Sequence, residues 1–499
     1  MRRASMKRLL GGILVLAVLA FVALGAASYW FGVQTEREYK AMIQRSADWQ
    51  NFKLTGEEYT RGVFSSEAKA TLELANPPPL PSPDDSGEEK PFPSKVMLVH
   101  QISHGPVPFG MLPHAVGIMR PALAVIETKA SIDPRFKELF KELKLPENRL
   151  PAMDMFTVLK WGGEGDTHWT IHPFKGELGE AEKVAVDFSG LKLRIEYTPG
   201  FRRFKGSLSM DGLEAAAPEE WDLTLKRMSG TFDQVEGMSG IYLGDVTYTL
   251  ELIGFKHRDP AKARKNFSLQ GFSVKTQAQE AGNDLSSSAT FSLDQVDTET
   301  GSFHKAIFDL ELRKLDGRAL SEFQRTLKEL RHQSGGPEQL SEKTLAAFLG
   351  LLPRLLKNSP EVEIRQLGFA SPDGEIRAAA KLTVDGTNFR ESLSLPMLMQ
   401  SARLDASVSA AEKVLVRLLK SLESSDQATS GEGEEESSPS APMTDEEQEA
   451  RIRSTLSALV AQRFLVLENG VYKANAKYAS GELTLNGQPI RLDKLLGGE

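Results

Sequence analysis

The chain has 499 residues, with 60 Lys or Arg against 68 Asp or Glu and a formal net charge of -8. Hydrophobic residues at 40% and charged residues at 26% suit a folded protein with a large core or several structural units. The acidic balance, with no basic stripe, excludes nucleic acid as a partner, and the absence of cysteine excludes disulfides, thiolate metal sites and cysteine nucleophiles.

Arg2, Arg3, Lys7 and Arg8 precede an uncharged apolar run from Leu9 to Ser28, which Tyr29, Trp30 and Phe31 follow. A helix of about twenty residues rises about 30 Å, the thickness of a bilayer's hydrocarbon core. The expectation is therefore a cytoplasmic tip over 1–8 and a transmembrane anchor over 9–31, basic side inside, with the bulk of the chain beyond the membrane. The competing expectation is a cleaved signal peptide ending at Gly25-Ala26-Ala27, which exports the same bulk. Gln34 to about Trp49 keeps a helical character and is expected as a stalk, an arrangement that would allow a homodimer.

Residues 32–330 are expected to form a β-rich region interrupted by a flexible Pro- and acid-rich loop over 76–93 (NPPPLPSPDDSGEEKPFP). Apolar residues alternate with polar or small ones in Ala68/Ala70/Leu72/Leu74, Trp221/Leu223/Leu225, Val246/Tyr248/Leu250/Leu252, Ala289/Phe291/Leu293 and Phe308/Leu310/Leu312. Period two marks strands with one dry and one wet face. Val184–Phe188 and Leu191–Tyr197 alternate across Ser189-Gly190, a pattern that predicts a two-residue hairpin.

Residues 331–499 are expected to form an α+β region with a disordered acidic insert over 423–442. His332–Glu338 is a Gly-rich break before it. Alternation returns at Ile376–Val384 and Leu404/Ala406/Val408. Helical spacing marks Leu320/Phe323/Leu327/Leu330, Ala346–Leu356 and Val414–Leu422, and Thr444-Asp-Glu-Glu447 reads as a capping box opening a helix with Ile452, Leu456, Leu459 and Val460 on one face. The fold class is α+β, predominantly antiparallel β, with a few helices covering sheet faces.

Chemistry is thinly signalled. Two of the eight histidines stand at His100/His104 and two at His168/His172, spacings that would pair imidazoles on a helix but fall here in extended segments. Ser66-Glu-Ala-Lys69 and Ser302-Phe-His-Lys305 match S-x-x-K without the companion motifs of that chemistry. Gly162-Gly-Glu-Gly165 lacks the helix and lysine of a phosphate loop and reads as a turn. No catalytic, cofactor-binding or metal residue is assigned, and a non-enzymatic protein is expected.

Several segments in order resemble a known family: Tyr59-Thr-Arg-Gly62-Val-Phe64-Ser-Ser66, His104-Gly-Pro106, Leu310-Glu-Leu-Arg-Lys-Leu315-Asp316-Gly317, Ser359-Pro360-Glu-Val362-Glu-Ile364, Gly470-Val-Tyr472 and Tyr478 through Asn486-Gly487. The set resembles the YdgA-like family of Gram-negative envelope proteins, whose function is unknown. The resemblance implies a single-pass inner-membrane anchor with a periplasmic body, and no accepted activity. Gly62, Gly105, Gly317 and Gly487 read as turn glycines needing positive φ, and Asn486-Gly487 is the strongest hairpin signal in the chain. Three functions remain open at this point: binding or transfer of lipid or another apolar ligand along a sheet face, a scaffold or chaperone-like role toward envelope proteins, and hydrolysis of cell wall or lipid.

Overall fold

A computed structural model describes residues 25–44, 52–74, 79–80, 90–91, 95–105, 122–132, 152–178, 183–218, 220–258, 266–298, 301–333, 337–388, 395–429 and 444–490. The chain divides into two compact units. The first comprises Met1–Glu220, Lys226–Glu236 and Thr326–Ser341, the second Trp221–Leu225, Gly237–Arg325 and Glu342–Glu499.

The first unit is an antiparallel meander of β1 (Phe52–Arg61), β2 (Ser65–Leu74), β5 (Lys95–His104), β6 (Ala124–Ile132), β7 (Met153–Leu159) and β8 (Gly165–Ile171), with the two-residue pair β3 (Pro79–Leu80) and β4 (Lys90–Pro91) between β2 and β5. The rest of the Pro- and acid-rich loop lies outside the described residues. Helix α1, residues 25–44, lies on the sheet and buries Phe31, Tyr39 and Ile43 against Ala68, Ala70, Ile102, Ala124, Ile126 and Leu159. Its buried stripe, Ser28, Phe31, Thr35, Tyr39 and Ile43, follows helical period. The strands beneath it present alanine at 68, 70 and 124, all at most 2% exposed, so the helix backbone approaches the sheet closely.

This packing corrects the N-terminal expectation. Among the described residues no helix is long and apolar enough to cross a membrane. Residues 25–31, expected as the outer end of a span over 9–31, belong to α1, with Ser28 and Phe31 buried in a protein core. Residues 34–44 are core-packed rather than a free stalk, because Tyr39 and Ile43 have an apolar bed to meet. The single-span topology, with the membrane partner and the inner-membrane and periplasmic placement drawn from it, is therefore not retained. Residues 1–24 lie outside the described residues.

The hairpin expected at Ser189-Gly190 is also corrected. β9 (Phe174–Leu178) pairs with β10 (Val184–Phe188), and β8 pairs with β11 (Leu191–Tyr197), while both β10 and β11 lie along β12 (Arg203–Ala217). The chain thus reverses between Leu178 and Val184, and Ser189-Gly190 is a break within one long strand. Opposite it stands His172-Pro173, where proline supplies no ladder donor. Gly190 has φ 89°, and a Cβ there would lie 2.9 Å from the Ile171 carbonyl oxygen and 3.2 Å from Pro173 Cδ. The two interruptions face each other and leave the register intact on either side.

β13 (Trp221–Glu236) is divided between the units, with Trp221–Leu225 in the second and Lys226–Glu236 in the first. The second unit is a longer meander: β14 (Tyr242–His257), β15 (Phe267–Ala281), β16 (Asp284–Thr298), β17 (Gly301–Asp316), β18 (Glu361–Ser371), β19 (Gly374–Val384), β20 (Ala402–Ala411) and β22 (Val471–Ala479). β21 (Val466–Glu468) and β23 (Glu482–Leu485) pair with different stretches of β22, and β24 (Gln488–Ile490) pairs with β23. The Asn486-Gly487 hairpin is present between β23 and β24, with φ 49° and 78° at its two residues. Of the other glycines expected at positive φ, Gly105 adopts it, at 134°, whereas Gly62 and Gly317 do not. Gly62 answers a close approach instead, since a Cβ would lie 2.5 Å from the Ser65 carbonyl oxygen.

Helices interrupt this meander: α2 (Gly317–Gln333) and α3 (Pro337–Lys357) before β18, α4 (Leu395–Ser401) before β20, and α5 (Glu412–Thr429) with α6 (Asp445–Ala461) before β21. α6 opens on the expected capping box, with reciprocal bonds between Thr444 and Glu447. Residues 423–429, expected in the disordered insert, continue helix α5, and 430–442 lie outside the described residues.

Replacing Gly190 by alanine is expected to destabilise the chain by about 1–3 kcal/mol in urea unfolding, through strain at positive φ and contact with Ile171. Ser189→Ala should change it by less than about 0.5 kcal/mol.

Candidate functional site

Because the strands of the second unit alternate, its sheet has two chemically distinct faces. One row across it reads Val274, Phe291, Phe308, Leu367, Ala378, Val408 and Ala474. The next row reads Lys275, Thr290, Asp309 and Gln366. On the polar face Arg313 reaches Glu311, Glu361 and Glu363, and Arg365 lies 2.7 Å from Asp309. These half-exposed pairs contribute at most about 1 kcal/mol each, and their main effect is to keep that face wet.

The apolar face is covered at its ends. Leu356 and Val384 pack with Leu352, Met397 and Leu398 near the close of β19, and Val416, Ile452, Leu456 and Tyr472 pack where α5 and α6 meet β22. Between these covers runs an open groove of about 450 Å³, walled by Phe272, Phe291, Phe308, Phe369 and Ile376 with Leu418 of α5. Phe291 is 39% exposed, Val408 40% and Leu367 45%. These side chains expose apolar surface along one face of the sheet instead of singly.

The first unit holds a second feature, a polar junction beneath α1. His104 Nδ1 lies 3.0 Å from the Ser28 carbonyl oxygen and its Nε2 3.0 Å from Ser66 Oγ. A carbonyl only accepts, so Nδ1 carries the proton and Nε2 accepts from the Ser66 hydroxyl. The strand-to-helix tie is close: a Cβ at Gly32 would lie 2.7 Å from the His104 ring. Two pleat periods away, His100 Nδ1 meets Thr128 Oγ1 at 2.9 Å, and its ring stands edge-on to Tyr39 with centroids 5.1 Å apart. Burial lowers His104 and brings His100 down to about 4, and burial raises Tyr39. The hydroxyls of Thr35 and Tyr39 and the Nε2 of His100 are buried without a hydrogen-bond partner.

The other sequence candidates do not assemble. His100 and His104 share a strand face but hold different partners, and no group of three or more His, Cys, Asp or Glu suited to a metal occurs among the described residues. His168 pairs with Asp166 at 3.0 Å and stacks on Phe156, while His172 pairs with Asp154 at 2.6 Å. Lys69 bonds Glu58 across the sheet face opposite Ser66, so it cannot deprotonate that serine. Ser302 is bonded to the Asp297 carboxylate. Gly162–Gly165 forms the β7–β8 turn, closed by Lys160 N–H to the Glu164 carbonyl at 2.8 Å.

Of the segments that carried the family resemblance, two meet at the Ser66–His104 hydrogen bond, while Leu310–Gly317 runs from β17 into α2 and Tyr478–Gly487 forms the β22–β24 meander. A family model described as "Bacterial protein of unknown function (DUF945)" matches residues 6–493. The chain belongs to the DUF945 family. It is also 21% identical over 509 residues to Protein YdgA of Escherichia coli (strain K12), covering 97% of this chain and 96% of that protein. The YdgA-like resemblance read from the sequence is thereby confirmed.

Sequence reasoning missed the Ser66–His104 junction in this DUF945 chain, although both residues lay inside quoted segments. Its partners stand 38 and 76 residues apart, and nothing in local spacing joins them. His104→Ala is expected to destabilise the chain by about 2–4 kcal/mol in denaturant unfolding, from the cavity and the unpaired Ser28 carbonyl. His104→Gln, which can retain one bond, should cost less than half of that.

Proposed function

We propose that this DUF945 chain is a non-catalytic protein-interaction module, a scaffold or chaperone-like protein, whose binding surface is the open apolar face of its second unit. The observation that carries this reading is the uncovered row Phe291, Leu367 and Val408 between two helix-covered ends of one sheet. Elsewhere on the same face the chain's own helices supply the cover, so the sheet is chemically suited to receive a further apolar element of a protein. Full burial of each large apolar side chain contributes roughly 1.5–3 kcal/mol, enough for micromolar binding from a few such residues after the entropy of association is met. A second reading, an apolar small ligand such as a lipid acyl chain, is favoured by the phenylalanine walls of the 450 Å³ groove.

Light scattering of a heat-unfolding client protein, with and without the full chain, tests the first reading. Suppression of aggregation by the native chain is expected, reduced at least fivefold by the Phe291→Ser, Leu367→Ser double variant. Lack of suppression by the native chain would remove the proposal. Organic extraction of the purified chain followed by mass spectrometry addresses the second reading: one equivalent of lipid, lost in the double variant, would transfer the groove to it.

A further inference from the structure

Helix α1 is held on the first unit by two kinds of contact that respond differently to a proton. The apolar contacts of Phe31, Tyr39 and Ile43 with Ala68, Ala70, Ile102 and Ile126 are indifferent to pH. The polar contacts are the His104 bond to the Ser28 carbonyl and the Arg61 bonds to Glu36 and Tyr29, and two imidazoles that the fold holds neutral, His100 and His104, each 2% exposed, lie beneath the helix. Their hydrogen-bond partners are Thr128, Ser66 and the Ser28 carbonyl, and neither ring has a carboxylate among them.

The charged surroundings do not offset a buried imidazolium. From α1, Glu36 faces this side of the sheet but is already engaged by Arg61 at 2.9 Å and Lys40 at 3.0 Å. From β1 come Glu57, which acts on Tyr39, then Tyr59, and Arg61, whose own charge opposes protonation of His104. On β2 and β6 the helix-facing positions are Ser66, Ala68, Ala70, Ala124, Ile126 and Thr128, while Glu67, Lys69, Glu127 and Lys129 alternate to the other face. β7 contributes Thr157, bonded to Thr167 of β8 at 2.8 Å, and no charge.

We propose that α1 is an acid-releasable strap: protonation of His100 and His104 lifts the helix from the sheet and bares the alanine bed as a second apolar surface, while the strands beneath stay paired. The His100 Nε2 atom is the weak point. It is buried and unpartnered, so a proton there creates a charged N–H with no acceptor. His104 adds to this through its burial alone: its imidazolium would keep the Nδ1–H bond to the Ser28 carbonyl, and the cost of charging it is the cost of taking that charge out of water.

The direction follows from linkage. Both histidines titrate lower with α1 seated than with it released, so the released form takes up the proton first. The seat is at full strength above the ordinary histidine value near 6.5 and weakens as pH falls toward about 4, the value of seated His100. At pH 5, His100 alone raises the released population about 20-fold relative to pH 7.

Hydrogen–deuterium exchange of the full chain at pH 7.5 and pH 5.0, corrected for intrinsic rates and read by peptide mass spectrometry, tests the strap. The expected result is a loss of protection of tenfold or more over residues 25–44, with β2, β5 and β6 retaining theirs. Unchanged protection over 25–44 overturns the proposal, as does an equal loss in the three strands, which would mean that the unit unfolds as a whole. In the His100→Phe, His104→Gln variant the dependence over 25–44 should fall below threefold. If circular dichroism shows that variant to be misfolded, NMR titration of the histidine C2 protons in the native chain decides instead. Both rings resisting protonation until α1 signals change supports the strap, and ordinary titration near 6.5 with α1 unmoved overturns it.

Discussion

A one-sided antiparallel sheet creates an apolar face as large as its polar one, and that face has to be covered. The two units of this chain meet the constraint differently. In the first, α1 lies on a bed in which alanine at 68, 70 and 124 lets the helix backbone come close. In the second, the face extends over more strands than the chain's helices span. Clusters around Leu356 and Val384 and around Val416, Ile452 and Tyr472 close its ends, and the row through Phe291, Leu367 and Val408 stays open. The open apolar row and the buried histidines are both consequences of how each face was covered.

Coverage also explains where polar groups are tolerated. Beneath α1 the core admits Ser66, His100, His104 and Thr128 because hydrogen bonds satisfy most of their polar atoms and the ordinary pH range leaves the imidazoles neutral. On the second unit the charges are instead gathered on the wet face, where Arg313, Arg365 and Lys381 are interleaved with Glu311, Glu361 and Glu363. The charged ladder adds little stability but makes the wrong face unfit for an apolar occupant. Membership of the DUF945 family fixes no chemistry, so the functional reading rests on these surfaces.

Much of the local structure is legible in the sequence alone. Alternation at Ala289–Leu293, Phe308–Leu312 and Ile376–Val384 marked strands that exist, and Thr444 with Glu447 marked a helix start that the backbone confirms. Asn486-Gly487 made a hairpin because both residues accept positive φ in a two-residue loop. These signals succeeded because each is a property of a few neighbouring residues. Ser189-Gly190 carried the same kind of signal and failed, since the segments on either side of it both pair along β12 and the pair becomes a mid-strand break facing His172-Pro173.

The sequence by itself determined the antiparallel, one-sided character of the strands, the positions of α2, α3, α5 and α6 and the family, all of which depend on periodicity, caps and ordered motifs. Only the tertiary structure decided that Ser28 and Phe31 belong to a protein core, that Ser66 and His104 share a hydrogen bond, and that one apolar face is filled while the other is open. The reason is physical: an apolar stripe states that it must be buried, but its composition does not name the surface that buries it.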